Sequence, residues 1–176
     1  MTEIRVAHTA DLAPATLAAV RALLEDVFDD FADTDWAHSL GGMHATAWED
    51  GEPIGHAAVV QRQLRHRGKA LRTGYVEGVA VRADRQGRGV GAALMTSVER
   101  IVLGAYDLGA LSSSEMAVPF YTGRGWQLWQ GKSSAMTPSG MRPTEDDDGG
   151  VYVLPVSVEL DLSAELTCDW RDGDVW

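Results

Sequence analysis

Glu77 lies in the β-prone run Tyr75-Val-Glu-Gly-Val-Ala-Val81, and a glycine-rich, arginine-bearing segment, Arg85-Gln-Gly-Arg-Gly-Val-Gly91, follows almost directly. A strand that carries a carboxylate into such a loop can hold an anionic substrate and remove a proton beside it. Gly87, Gly89 and Gly91 let backbone approach a pyrophosphate closely, and a helix beginning near Val90 turns its unpaired N–H groups and positive dipole end towards the anion. Amine acylation needs a base, a polarised carbonyl and a proton for the leaving group. Glu77 is the base candidate. An unperturbed glutamate, with a pKa of about 4.3, is a weak base for an ammonium, so Glu77 must be desolvated or act through an ordered water. Gly78 permits a bulge that would aim it into a cleft. Tyr121 is the acid candidate, because a phenol of pKa about 10 can protonate a thiolate of conjugate pKa about 8.5 with a modest uphill step.

Each residue also has a plainer reading. Glu77 could sit on a solvated strand face, Tyr121 could fill core beside Phe120, and the glycines could form only a tight connection. A dinucleotide-binding loop would follow the first strand of a βαβ unit with an acidic residue about 20 positions on. Here the loop lies mid-chain after several strands.

The 176 residues, 45% hydrophobic, suit one globular domain spanning 1–176. No run of about 18 apolar residues could cross a membrane, and the N-terminus lacks a secretory pattern, so a cytoplasmic protein is expected. Cys168 is the only cysteine, and His8, His38, His44, His56 and His66 show no metal-ligand spacing, so no metal is expected. His44 and His56 read as structural residues in strands. With 26 acidic against 15 basic residues the net charge is −11, a surface that repels nucleic acid and attracts polycations.

The pattern alternates strands and helices, a mixed α/β class. Strands are expected over Ile4–Val6, Met43–Trp48, Ile54–Arg62, the Glu77 segment, Ala110–Leu111, Trp126–Gln130 and Val151–Leu160, those before the glycine loop forming an antiparallel meander. Ala13–Phe28 reads as an amphipathic helix with Asp11 as its N-cap and Pro14 in its first turn. Val90, Leu94, Val98, Ile101, Val102 and Ala105 recur at helical spacing after the loop. A short helix is expected from Ser112 through Tyr121, and a long loop carries Pro138, Pro143 and Glu145-Asp-Asp-Asp148.

Gln86-x-x-Gly89-x-Gly91 after a strand resembles the coenzyme A signature of the GNAT superfamily of N-acetyltransferases, and Pro119-Phe-Tyr-Thr-Gly-Arg-Gly-Trp126 resembles the segment of its final helix. Thr34-Asp-Trp36, Leu40-Gly-Gly-Met-His44, Tyr75-Val-Glu-Gly-Val79, Leu111-Ser-Ser-Ser114, Asp146-Asp-Asp148 and Cys168-Asp-Trp-Arg-Asp-Gly-Asp-Val-Trp176 are together similar to the aminoglycoside 2'-N-acetyltransferases, almost end to end. The resemblance implies a GNAT acyltransferase fold: a mostly antiparallel central sheet with a V-shaped split, flanked by helices. It also implies acetyl-CoA as co-substrate, held by Val79, Ala80, Val81, Gln86, Gly87, Arg88, Gly89, Val90 and Gly91. The Val79 N–H would bind the thioester carbonyl, and Glu77 would act through water. Transfer to the 2'-amine by direct attack would confer antibiotic resistance, and a homodimer is implied.

Acidic residues cluster at Asp29-Asp30, Asp33 with Asp35, Asp146–Asp148, and Asp169, Asp172 and Asp174, while Arg82, Arg85 and Arg88 surround the glycine loop. Such acidic loops could be solubility features. By resemblance the drug-contacting set is Asp30, Asp35, Glu77, Gly78, Ser112, Asp147, Asp174 and the Trp176 carboxylate, with the inward member of the Asp146–Asp148 run left open. Two rival readings are a GNAT enzyme acting on another cationic amine, such as a cell-wall aminosugar, and a non-catalytic acyl-CoA sensor.

Overall fold

Two Xaa-Gly turns organise the middle of the chain. Asp50 (φ 54°) with Gly51 (φ 87°), and Arg67 (φ 49°) with Gly68 (φ 79°), place consecutive residues in the left-handed region. That is the backbone of a two-residue hairpin turn whose twist matches paired strands. The computed structural model describes all 176 residues, and these turns join β2 (Met43–Glu49), β3 (Glu52–His66) and β4 (Lys69–Val81). The chain forms two compact units, Met1–Val60 with Val76–Ile101 and Gln61–Tyr75 with Val102–Trp176, so β3 and β4 each run through both.

In the first unit β1 (Glu3–His8) pairs antiparallel with β2, from Glu3↔Trp48 to His8↔Met43, and β2 pairs antiparallel with β3, from Met43↔Val59 to Glu49↔Glu52. Helix α1 (Pro14–Val27) begins at a proline suited to a first turn. It buries Val20 and Leu24 with Ala80, and Val27, Phe31 and Trp36 pack against them. A second helix, α2 (Asp33–Ser39), follows. After a 3-10 turn over Ala83–Arg85 comes α3 (Val90–Ala105), in which Val90, Leu94, Met95 and Val98 are buried. Gly55 lets α3 lie close to β3, because a Cβ there would meet Leu94 Cδ1 at 2.9 Å and Val90 Cγ1 at 3.1 Å.

The second unit contains β5 (Leu108–Ser112), α4 (Val118–Thr122), β6 (Gln127–Leu128), β7 (Ser133–Thr137), β8 (Gly140–Pro143), β9 (Val151–Pro155) and β10 (Leu166–Cys168). Its strands run in the order β6-β9-β5-β4-β3-β10-β7-β8. Pairing is parallel for β4 with β5 and for β7 with β10. The β4–β5 ladder covers Thr73↔Leu108 to Tyr75↔Ala110.

Several boundaries differ from the sequence expectation. The cap of α1 is Ala13, with Asp11 in a separate 3-10 turn, and Phe28 is 38% exposed. Helix α2 falls in a stretch read as acidic loop. The region after Ser112 is a 3-10 turn (Glu115–Ala117) and then α4. The expected long loop contains the β7–β8 hairpin, β9 stops at Pro155, and β10 is an additional strand.

Arg62 is 4% exposed on β3; its Nε donates to Asp169 Oδ1 at 2.8 Å and an NH2 donates to the Asp169 carbonyl at 2.9 Å. Its guanidinium lies 4.7 Å from the Tyr75 ring centroid. The Asp169 side chain is 37% exposed, so removing it leaves the buried guanidinium uncompensated beside water. Asp169→Ala is expected to lower unfolding free energy by about 1.5 to 3 kcal/mol in urea denaturation, and a loss below about 1 kcal/mol would show the pair to be solvated.

Candidate active site

In the first unit the candidate residues follow one another along the end of β4 and the loop after it. Gly78 has φ +55°, which a regular strand residue does not adopt. A Cβ there would come within 3.2 Å of His56 Nδ1 and of Ser39 Oγ, so both conformation and space select glycine. On either side of it Glu77 and Val79 are half-buried, Ala80 is buried and Val81 is half-buried. The base candidate and the candidate backbone donor thereby flank one left-handed residue.

Gln86 Nε2 donates to the Val81 carbonyl at 3.1 Å, tying the loop to the end of the strand. Gly87 (φ 71°) and Gly89 (φ 82°) are exposed, with nothing within 4 Å of where a Cβ would stand. The Gly89 carbonyl accepts from Ala93 N at 3.0 Å, so the N–H groups of Val90 and Gly91 belong to the first turn of α3 and have no partner within the helix. Open backbone, a long helix N-terminus and the exposed Arg88 fit a diphosphate chemically. The basic cluster is smaller than its sequence suggests. Arg82 Nε pairs with Asp84 at 2.6 Å, and Arg85 pairs with both Glu49 and Asp84. Asp30 is exposed after α1, whereas Asp35 is half-buried and its Oδ2 accepts from Ala32 N at 2.9 Å, capping α2.

In the second unit Tyr121 on α4 is 6% exposed, its ring centroid 5.2 Å from Phe120 and 6.3 Å from Trp126. Burial pushes its phenol up to about 12, so it is protonated at neutral pH. Giving that proton to a thiolate is a steeper step than an ordinary phenol would face. Ser112 is exposed at the end of β5.

The acidic run divides by role. Asp148 accepts from Ser133 N, Ser133 Oγ and Lys132 Nζ, each at 2.8 Å. Those partners, led by Lys132, hold it down at about 2. Asp147 is half-buried, and its carboxyl is raised first by burial and then by the charges of Asp174, Asp146 and Asp148. Asp147 and Asp174 therefore share one acidic patch, and Asp148 serves the fold.

Trp176 is 2% exposed, and its Nε1 donates to Thr144 Oγ1 at 2.8 Å. Arg171 holds the tail: Nε donates to the Asp174 carbonyl at 2.7 Å and an NH2 donates to the Trp176 O at 2.9 Å. The structure thus brings Asp147, Asp174 and Trp176 together around the turn after Thr144. Thr144 escaped the sequence reading, since a threonine in a loop carries no motif, and Arg171 stood within the tail segment without an assigned role.

The profile of the Acetyltransferase (GNAT) family matches residues 12–126. Over 177 aligned residues the chain is 52% identical to the aminoglycoside 2'-N-acetyltransferase of Mycolicibacterium fortuitum, covering 98% of this chain and 91% of that protein. Among solved structures it is similar to the GNAT family N-acetyltransferase YhbS of Escherichia coli in complex with CoA, with TM-score 0.66, 18% identity and coverage of 95% of this chain and 89% of that one. Escherichia coli ElaA gives TM-score 0.62 at 17% identity, covering 89% of this chain and 99% of that one.

Two buried histidines in the first unit set the acid limit of stability. Burial, with the nearby charge of His8, lowers His44 to about 4, and burial, with His44 beside it, lowers His56 to about 3. Both rings are neutral in the folded state and become protonated on unfolding once pH falls below about 6.5. Their contribution is present above that pH and lost as pH falls towards the folded values. Urea denaturation is expected to show stability falling by up to about 3 kcal/mol per pH unit between roughly pH 6 and 4, with a flat profile across that window counting against buried neutral rings.

Proposed function

The chain belongs to the GNAT family of acetyltransferases, and from that premise we propose that it transfers the acetyl group of acetyl-CoA to the 2'-amine of aminoglycosides, a reaction that confers resistance by removing an ammonium charge. The substrate class rests on the 52% identity, over 98% of the chain, to an enzyme named for that reaction. The acidic patch of Asp147 and Asp174 supports it, since several carboxylates suit a polycationic aminosugar. Both units act in this reading as one acetyltransferase domain over residues 1–176. The cytoplasmic location and homodimeric state implied by family resemblance belong to the same proposal, and sedimentation of the purified protein tests the second.

In the proposed reaction Glu77 takes one proton from the substrate ammonium through an ordered water, and the neutral amine then attacks the thioester carbonyl carbon. The C–N bond forms, the C–S bond breaks as the tetrahedral adduct collapses, and the second proton shed by nitrogen replaces the one that Tyr121 gives up. The Val79 N–H donates to the carbonyl oxygen as negative charge develops there, and Tyr121 gives its phenolic proton to the departing thiolate. The N–H of Val81 and the backbone from Gln86 to Gly91, with Arg88, bind the pantetheine arm and pyrophosphate. Asp30, Asp35, Ser112, Asp147, Asp174 and the Trp176 carboxylate hold the cationic substrate. Gly78 brings its backbone to the substrate beside Glu77.

Acetyl-CoA-dependent thiol release should occur with tobramycin, which has a 2'-amine, and not with kanamycin A, which has a hydroxyl there. Equal release with both places the acetyl group elsewhere, and release with neither points to another cationic amine. Glu77→Gln should lower kcat by about 10²- to 10⁴-fold, and Tyr121→Phe by about 10²-fold where chemistry limits turnover. Unchanged pH–rate profiles in these variants would remove the corresponding roles.

A further inference from the structure

A column of hydrogen bonds crosses the first unit and ends on Gly78. Gly41 N donates to Thr9 Oγ1 at 2.9 Å, and Thr9 Oγ1 lies 2.8 Å from His44 Nε2. His44 Nδ1 lies 3.0 Å from His56 Nε2, and His56 Nδ1 lies 2.7 Å from the Gly78 carbonyl oxygen. His44 sits opposite Ala58, and His56 opposite Thr46, so the two rings are diagonal neighbours on one face of the β2–β3 pair.

The polarity of the column follows from its last member. A carbonyl only accepts, so His56 Nδ1 carries the hydrogen, and a neutral ring then offers Nε2 as an acceptor. His44 must donate to it from Nδ1, which leaves His44 Nε2 to accept from the Thr9 hydroxyl. Thr9 in turn accepts the Gly41 N–H. Thr9 Oγ1 also lies 3.2 Å from the Gly42 carbonyl, a longer contact than the 2.8 Å to His44, and with the hydroxyl hydrogen directed to the ring every link of the column is satisfied and both tautomers are fixed. His44 and His56 are 1% and 0% exposed, so an unmet ring nitrogen would find no water.

We propose that His44 and His56 are positioning residues for acetyl transfer: the column holds the Gly78 carbonyl, fixes the left-handed turn in β4, and thereby aims the Glu77 carboxylate and the Val79 N–H. This rests on the assignment of Glu77 and Val79 made above. The terminal acceptor is a carbonyl, so the column orients backbone and carries no proton to the reacting groups. His56 fills much of the space beside Gly78, so the same ring that bonds the carbonyl also excludes a side chain at that position.

The test uses the full chain labelled with ¹⁵N at histidine. Imidazole nitrogen shifts at neutral pH should report His44 and His56 as neutral rings protonated at Nδ1, and protonation of His56 at Nε2 overturns the proposal. In kinetics His56→Leu should lower kcat by about 10- to 100-fold, with the KM for acetyl-CoA within about twofold because the phosphate loop is held separately. His56→Asn, whose amide nitrogen can replace the Nδ1 donor, should recover most of kcat. A folded His56→Leu protein with wild-type kcat overturns it. Should the leucine variant fail to fold, His56→Asn decides: less than about a tenth of wild-type kcat in the folded asparagine variant overturns the proposal. Failure of the Glu77 assignment would appear separately, as full activity in Glu77→Gln with both tautomers as described.

Discussion

A strand whose backbone is to serve a ligand must stop serving its sheet. In β4 Gly78 takes a φ of +55° and its carbonyl meets a buried histidine, the geometry on which the proposed site depends. The peptide groups that follow, at Val79 and Val81, are the ones proposed to bind the thioester arm. The loop from Arg85 and the first turn of α3 continue the same course, so an uninterrupted stretch of chain runs from the base candidate to the proposed anion cradle. The precision of that stretch depends on packing behind it: Gly55 admits α3 close to β3, and Gln86 ties the loop back to Val81.

Electrostatics sort the remaining charges into two kinds. Asp84, Asp148 and Asp169 each have cationic partners within the fold, and Arg62, Arg82 and Arg85 have anionic ones. These groups maintain turns and strand ends. Asp147 is different, since its neighbours are carboxylates that disfavour its own ionisation. Distinguishing these kinds requires partners seen in three dimensions, because a run such as Asp146-Asp-Asp148 reads the same at every position.

That difference explains what the sequence could reveal. Long elements with strong period were legible: α1, α3 and the β2–β4 meander follow from apolar spacing and Xaa-Gly turns. The turn between β4 and α3 was legible because Gly87 and Gly89 occupy left-handed backbone, where glycine has few substitutes. The β7–β8 hairpin was missed because Ser133-Ser-Ala-Met-Thr137 has small, polar residues and little alternation, and β10 because three residues carry no period. Helix α2 was hidden by its acidic first turn, which reads as loop until Asp35 is seen capping the backbone. The His44–His56 pair was read as structural, and it is buried within strands. Its connection to Gly78 could not be inferred, since the register that aligns positions 44, 56 and 78 emerges only from pairing.

The acidic patch around the C-terminal tail has a thermodynamic side. Arg171 and Thr144 draw Trp176 and Asp174 inward, and in doing so they bring like charge towards Asp147. Folding therefore performs electrostatic work against itself at this corner. A polycation bound as proposed would relieve that repulsion, so its attraction to the patch and the relief of the protein's own strain would be the same event, and dissolved salt weakens both together.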